Sequence, residues 1–300
     1  MKIQDKILEL KKKKNAVILV HNYQIGEVQD IADLLGDSLD LSKRAQSTTA
    51  DIIVFCGVHF MAEIAKILSP DKMVLLPDAN AGCPLADMAS PEELKKLKAS
   101  HPDAVVVAYV NTSAQIKAQA DICCTSANAI NVISQIEKGK EIIFVPDQWL
   151  GAYAAKKTKR ELIFWPGFCP THMKITPEVI VEKKKKYPEA CVILHPECRE
   201  DSLKLADEIF GTGGMLKCVK ESSKKEFIIG TELGIIYRLK KENPEKEFYP
   251  AAELAICPNM KLTTLEKVLW SLEEEVHEIQ IHKEIAQKAS VAIEKMLAIK

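Results

Sequence analysis

Three hundred residues, 47% of them hydrophobic and 28% charged, are enough for a sizeable folded core and exclude a disordered chain. Lys and Arg number 41 against 42 Asp and Glu, a net charge of −1 that lacks the positive field nucleic-acid binding requires. No apolar run reaches the roughly 18 residues of a membrane span, and residues 1–14 are Lys-rich without a signal-peptide core, so a cytoplasmic chain with no membrane partner is expected.

The first predicted strand is the apolar run at 15–23, which carries His21 and Tyr23 at its carboxyl end. A helical stretch at 28–35 follows, then a Gly36-Asp37-Ser38 turn whose Ser38 opens another helix. Residues 52–55 read as a second strand, 61–68 as a helix, and a third strand ends at Pro77, just ahead of Cys83-Pro84. The same order then recurs. Residues 103–111 repeat the first strand with Tyr109, Val110 and Asn111 at its end, 114–122 the helical stretch, and Cys124-Thr125-Ser126 the turn. A strand at 142–145, a helix at 152–157 and Pro166 lead to Cys169-Pro170. The third copy runs from 189–197, ending in His195, Pro196 and Glu197, through 202–209, the turn Phe210-Gly211-Thr212, 227–229, 234–241 and Pro250 to Cys257-Pro258.

These three Cys-Pro pairs are the only ones in the chain and lie 86 and 88 residues apart, the mark of an internal repeat. Buried apolar strands alternating with helices call for a parallel sheet covered on both faces. The expected fold is therefore α/β: three homologous parallel-sheet units, at 1–86, 87–172 and 173–260, arranged with pseudo-threefold symmetry around a central active site. The boundaries are approximate and allow exchange of a strand or helix between units. A helical tail at 261–300 is expected to cross the junction, and the Lys runs at 11–14 and 183–186 to be solvated helix faces.

Ligand sites in parallel sheets lie outside the carboxyl ends of the strands. The repeat puts His21, Tyr109 and His195 there, with Tyr23, Asn111 and Glu197 two residues on and pointing to the same side. Ser38, Ser126 and Thr212 stand at the next turns. Each hydroxyl alone would be a plain helix cap, but in triplicate, with Gly211, Gly213 and Gly214 allowing close backbone approach, they read as receptors for carboxylate or phosphate.

Nine cysteines are an odd count, which excludes a fully paired disulfide framework and leaves some thiols for metal chemistry. Cys56, Cys123, Cys124 and Cys191 read as buried fillers. Cys83, Cys169 and Cys257 share the repeat, and three converging thiolates have two solutions: tetrahedral zinc with a fourth ligand, or an iron–sulfur cube with one iron open. His172, three residues after Cys169, is a candidate fourth ligand or supporting group. An open metal beside Tyr23, Glu197 and the histidines suits Lewis-acid and proton-transfer chemistry on a small anion.

The motifs His21-Asn-Tyr-Gln24, Gly36-Asp-Ser-Leu39, Tyr109-Val-Asn111, Thr125-Ser-Ala-Asn128, Gly167-Phe-Cys-Pro-Thr-His172, His195-Pro-Glu-Cys198, Thr212-Gly-Gly-Met215 and Cys257-Pro-Asn-Met260 together resemble the quinolinate synthase family over nearly the whole chain. The resemblance implies a transferase of NAD biosynthesis that condenses iminoaspartate with dihydroxyacetone phosphate to quinolinate, phosphate and two waters. It implies one 4Fe-4S cluster on Cys83, Cys169 and Cys257 with an open iron as Lewis acid, and functional coupling to an aspartate oxidase or dehydrogenase that supplies iminoaspartate. Carried over by motif, His21, Ser38, Tyr109, Val110, Asn111, Ser126, His195, Pro196, Glu197 and Thr212 would hold substrate, while Tyr23, Glu197 and His172 would be catalytic. Two positions depart from the family pattern, each losing a hydroxyl: Gly211 where Ser is common, and Gly82 where Thr is. Cys123, Cys124, Cys191, Cys198 and Cys218 lie outside the resemblance, and a disulfide among them, with Cys198 next to Glu197 as its first candidate, is disfavoured in a reducing compartment. The competing readings are a zinc-dependent hydrolase on the same three thiols and a non-catalytic iron–sulfur redox sensor, which would need none of the acid–base residues.

Overall fold

Short Val- and Ile-rich runs, too apolar for a solvated face, become the central strands of three sheets in the computed structural model, which describes residues 2–299. Met1 and Lys300, the outer limits expected for the first unit and the tail, lie outside the described residues. The first sheet holds β1 (Ala16–His21), β2 (Leu34–Gly36), β3 (Ile52–Cys56) and β4 (Met73–Leu75). The second holds β5 (Val105–Tyr109), β6 (Ile122–Cys124), β7 (Ile142–Val145) and β8 (Ile163–Phe164), and the third β9 (Cys191–Leu194), β10 (Glu208–Ile209), β11 (Glu226–Gly230) and β12 (Glu247–Pro250). Every pairing between these strands is parallel, and each sheet has the order second, first, third, fourth. The register repeats as well: Val17 lies opposite Ile53, Val105 opposite Ile142, and Cys191 opposite Phe227.

Four strands per unit is one more than the sequence predicted, because the stretches at 28–35, 114–122 and 202–209 are not continuous helices. Each begins with a single helical turn, Gly26–Gln29, Ala114–Lys117 or Glu200–Leu203, and then enters an edge strand. An aspartate makes the switch. The carboxylates of Asp33, Asp121 and Asp207 accept the amides of Ile18, Val106 and Val192, each at 2.8 Å. The amides of the same aspartates donate back to those residues' carbonyls at 2.9, 3.0 and 2.9 Å. This double clamp aligns the chain beside the first strand, and side-chain competition of this kind is why Asp disfavours helix interiors. Helices Ile3–Lys13, Pro91–Ser100 and Pro177–Lys186 precede the first strand of each sheet. The predicted Lys runs fall in or just after the last turns of the first and third of these, where cations meet the negative helix end.

The units close on one another in a ring. Helix His59–Leu68 packs on Ala114–Lys117, Gln148–Thr158 on Glu200–Leu203, and Gly234–Glu242 on Gly26–Gln29, so the helix after each third strand meets the single turn of the next unit. That cyclic pattern is the pseudo-threefold arrangement. The tail supplies Leu265–Glu274 against Ile3–Lys13, and Lys283–Ala298 across β6 and His59–Leu68, so it braces the first two units. The largest apolar cluster joins those units through Ala289, Ala292, Ile293 and Met296 of the last helix. Among the described residues no helix is long and apolar enough to cross a membrane.

Candidate active site

The carboxyl ends of β1, β5 and β9 point into one central cavity of about 700 Å³, its mouth included. His21, Tyr23, Ser38, Tyr109, Asn111, Ser126, His172, His195, Glu197 and Thr212 all line it, as do Cys83, Cys169 and Cys257. Val110 and Pro196 do not. Strand alternation turns Val110 away from its neighbours and into the apolar core, and Pro196 is buried behind the wall.

Two of the strand ends use the same backbone device. The amide of Tyr23 donates to His21 Nδ1 at 3.2 Å, and that of Glu197 to His195 Nδ1 at 3.3 Å. A ring nitrogen that accepts carries no proton, so both imidazoles keep theirs on Nε2. Burial, reinforced by the Lys261 charge, holds His21 down at about 3. Burial and then the neighbouring His172 do the same to His195, also about 3. Both rings are neutral hydrogen-bond donors at neutral pH. In the second unit Tyr109 replaces the histidine, and burial followed by the Glu197 charge raises its pKa well above the ordinary value.

A path of close polar contacts crosses the cavity wall, hydrogen-bonded from Tyr23 to His172 and closed by the approach of His172 to Glu197. Tyr23 Oη lies 2.5 Å from Thr231 Oγ1, which lies 2.9 Å from His172 Nε2, and His172 Nδ1 stands 2.8 Å from Glu197 Oε2. His172 also stacks on His195 with ring centroids 4.5 Å apart. Burial raises the Tyr23 pKa well above its usual value, with the Glu197 charge adding to it, so the phenol is protonated. Burial alone would raise Glu197 too, but the imidazole of His172 and then that of His195 outweigh it and hold the carboxyl below its usual range. Glu197 Oε1 and Asn111 Oδ1 are buried and have no hydrogen-bond partner within the protein. Two such atoms in a cavity wall mark where a ligand's donors belong.

At the turns, Ser38 and Thr212 are first residues of helices Ser38–Ser47 and Thr212–Glu221, as predicted. Ser126 is not. Its helix starts only at Ala129, because Asn128 Oδ1 accepts the Thr125 amide at 2.7 Å and holds a turn ahead of the helix. A Cβ on Gly211 would stand 2.7 Å from Ser126 Oγ, and one on Gly213 2.6 Å from Asp37 Oδ2. These glycines let the third unit close on the other two.

Each cysteine of the Cys-Pro repeat stands just ahead of a short helical segment, Pro84–Asp87, His172–Lys174 or Asn259–Leu262, and the nearby amides of Ala86, His172 and Met260 temper the rise in its thiol pKa. Proline at the following position fixes that geometry. Burial pushes the Cys83 thiol up to about 12 and raises Cys169 and Cys257 as well. Thiols held this high by burial are ones that a bound metal cation would convert to thiolates. Cys169, His172 and Glu197 also bring one ligand atom each to within 4.8 Å of one another, a metal-site candidate in its own right. The surplus cysteines stay out of the cavity: Cys123, Cys124 and Cys198 are buried, Cys191 and Cys218 half-buried, and all are free.

The sequence reading missed Thr231 and Glu232 at the end of β11. Their repeat counterparts are Gly57-Val58 and Pro146-Asp147, so position recurs without residue type. Glu232 accepts the Cys257 amide at 3.1 Å and pairs with Lys261 at 2.9 Å; buried Asp147 accepts the amides of Trp149 and Leu150 at 2.9 and 2.8 Å. Asn22, also missed, donates to Thr212 Oγ1 at 2.9 Å.

Three α/β units sharing a thiol-rich cavity with a buried acid–base path define a metal-assisted enzyme for a small, polar substrate. The family described as Quinolinate synthetase A protein matches residues 5–298. The quinolinate synthase of Dehalococcoides mccartyi (strain CBDB1) is 53% identical over 297 residues, covering 99% of this chain and 98% of that one. The quinolinate synthase of Desulforudis audaxviator (strain MP104C) is 52% identical over 303 residues and all of both chains. That of Methanosarcina barkeri (strain Fusaro / DSM 804) is 53% identical over 296 residues, 99% of this chain and 97% of its own. The chain belongs to the quinolinate synthase family.

Proposed function

We propose that the chain condenses iminoaspartate with dihydroxyacetone phosphate to quinolinate, with release of phosphate and two waters, in the biosynthesis of NAD. The observation that carries this reading is the meeting, in one cavity, of the three Cys-Pro sulfurs with the path from Tyr23 to Glu197.

Cys83, Cys169 and Cys257 would hold a 4Fe-4S cluster, each reaching one corner from its own unit. When bound, the cluster supplies an open iron that polarises a hydroxyl or carbonyl oxygen of the substrate. The chain's residues supply the rest. The neutral Nε2–H groups of His21 and His195 donate to substrate oxygens, and Ser38, Ser126 and Thr212 take its anionic groups at the turns. The segment 109–111 positions the substrate through Tyr109 and Asn111. Glu197 Oε1 removes a proton from the substrate, and Tyr23 Oη gives one to a departing oxygen, which leaves as water. The proton then returns from Glu197 through His172 and Thr231 to Tyr23, so both groups are reset for the second loss of water. A zinc on Cys169, His172 and Glu197 would draw on the metal-site candidate at 4.8 Å. It would leave Cys83 and Cys257 unused and sever the proton path. The same reading puts the chain in the cytoplasm, supplied with iminoaspartate by an aspartate oxidase or dehydrogenase.

Anaerobic purification tests this directly. A brown protein with a 4Fe-4S Mössbauer spectrum that forms quinolinate from the two substrates is expected; a colourless, air-stable protein holding one zinc would overturn the reading.

A further inference from the structure

Lys117 is fully buried, and neither the fold nor the proton path explains its charge. It is the last residue of the helical turn Ala114–Lys117, and its ammonium donates to the Thr112 carbonyl, tying down the loop that carries Tyr109 and Asn111. The internal repeat provides a control. The counterpart in the first unit is Gln29, whose amide donates to the equivalent carbonyl, Gln24 O, at 2.8 Å. In the third unit the position is Leu203. A neutral amide therefore makes this staple, and an apolar side chain can replace it, whereas an ammonium adds a desolvation cost that the staple does not require.

The charge has a use only if something negative is close. Lys117 Nζ stands 5.4 Å from the ring centroid of Phe60, which lines the cavity beside Cys83. Glu63, Cys123 and Cys83 are the groups whose charge bears on it, against a burial that lowers its pKa. Glu63 accepts the Ala114 amide at 3.0 Å, at the other end of the same helical turn. Glu63 offsets the ammonium at the start of the turn, and a thiolate at Cys83 would add a second anion on the cavity side.

We propose that Lys117 is a counter-charge built into the second unit for the metal–thiolate group at Cys83, and that it raises the reduction potential of that group. The inference rests on the cluster reading above. Three thiolates make such a group net negative, and reduction makes it more so, so a fixed buried cation favours the reduced form.

The test is a redox titration of the holoenzyme followed by visible and EPR spectroscopy. Lys117→Gln keeps the staple, as Gln29 does, and removes the charge; its midpoint should shift to more negative potential while thermal stability stays close to wild type. Glu63→Gln removes the competing anion and should shift the midpoint the opposite way. An unchanged or positive shift in Lys117→Gln would overturn the proposal. If Lys117→Gln fails to retain its iron, Glu63→Gln decides: a positive shift supports the counter-charge and no shift refutes it. A wild-type protein with no iron–sulfur spectrum would instead overturn the cluster reading itself, which keeps the two failures distinct.

Discussion

The Cys-Pro loops and the ends of the first strands lie on the same repeat, yet one set is alike in all three units and the other is not. Every loop has proline after cysteine and a short helical segment following it. The strand ends read His21, Tyr109 and His195, followed by Tyr23, Asn111 and Glu197. A ligand that presents equivalent corners to three domains keeps the repeat intact, whereas an asymmetric substrate needs a different group from each. The strongest way to break this comparison is to remove one corner. Cys83→Ala, Cys169→Ala and Cys257→Ala should each abolish cluster binding and activity, while Cys191→Ser should leave iron content at the wild-type level. Full iron in any of the three alanine variants would mean that the loops are not equivalent ligands.

The asymmetric layer predicts a graded loss. Glu197→Gln and Tyr23→Phe keep shape and remove the ends of the proton path, so each should cost ~10²-fold or more in kcat with the cluster spectrum unchanged. Thr231→Val interrupts the path in its middle and should cost on the order of tenfold in kcat at constant KM, with Thr231→Ser restoring the rate. Equal KM and kcat effects in Thr231→Val would make this residue a packing contact.

The difference between the two layers also explains what could be read from the sequence. The Cys-Pro loops, the strand ends and the hydroxyl turns announce themselves because residue type recurs at fixed spacing. Thr231, Asp147 and Lys117 are on the repeat but change type at every copy, so no pattern marks them. The edge strands β2, β6 and β10 are two or three residues long and follow a helical turn without a break in composition. Only the aspartate clamp, a tertiary hydrogen bond, separates them from a helix. Val110 and Pro196 were swept into the site by their motifs, while strand alternation and backbone packing put both outside the cavity.

The histidines sharpen the comparison from the side of stability. His21 and His195 titrate at about 3 in the folded protein, against ~6.5 when exposed. Between those values the unfolded chain binds more protons than the folded one, so stability is fully present above the unfolded pKa and falls as pH drops from ~6.5 toward 3. Denaturant unfolding at a series of pH values should show this slope, and His21→Gln or His195→Gln should reduce it. A slope unaffected by either change would mean that the buried rings are not the source.

The smallest effects belong to the hydroxyl turns, where the two layers meet and one residue carries more than the other. Thr212 Oγ1 accepts from Asn22 Nδ2, and Asn22 is itself held by Arg238 at 2.8 Å, so Thr212→Ala removes a substrate donor and a buried partner together. A loss of ~1 to 3 kcal/mol in substrate binding is expected there, with Thr212→Ser restoring it. Ser126 stands against Gly211 across the seam between the second and third units and precedes its helix rather than opening it. It lacks the helix N-terminus that would amplify its contact with an anion, so Ser126→Ala should cost only about 1 kcal/mol. Equilibrium binding of dihydroxyacetone phosphate to the two variants, with the cluster spectrum as a control, gives the ordering. A larger loss for Ser126→Ala than for Thr212→Ala would place the anionic end of the substrate at the second unit's turn instead of the third's.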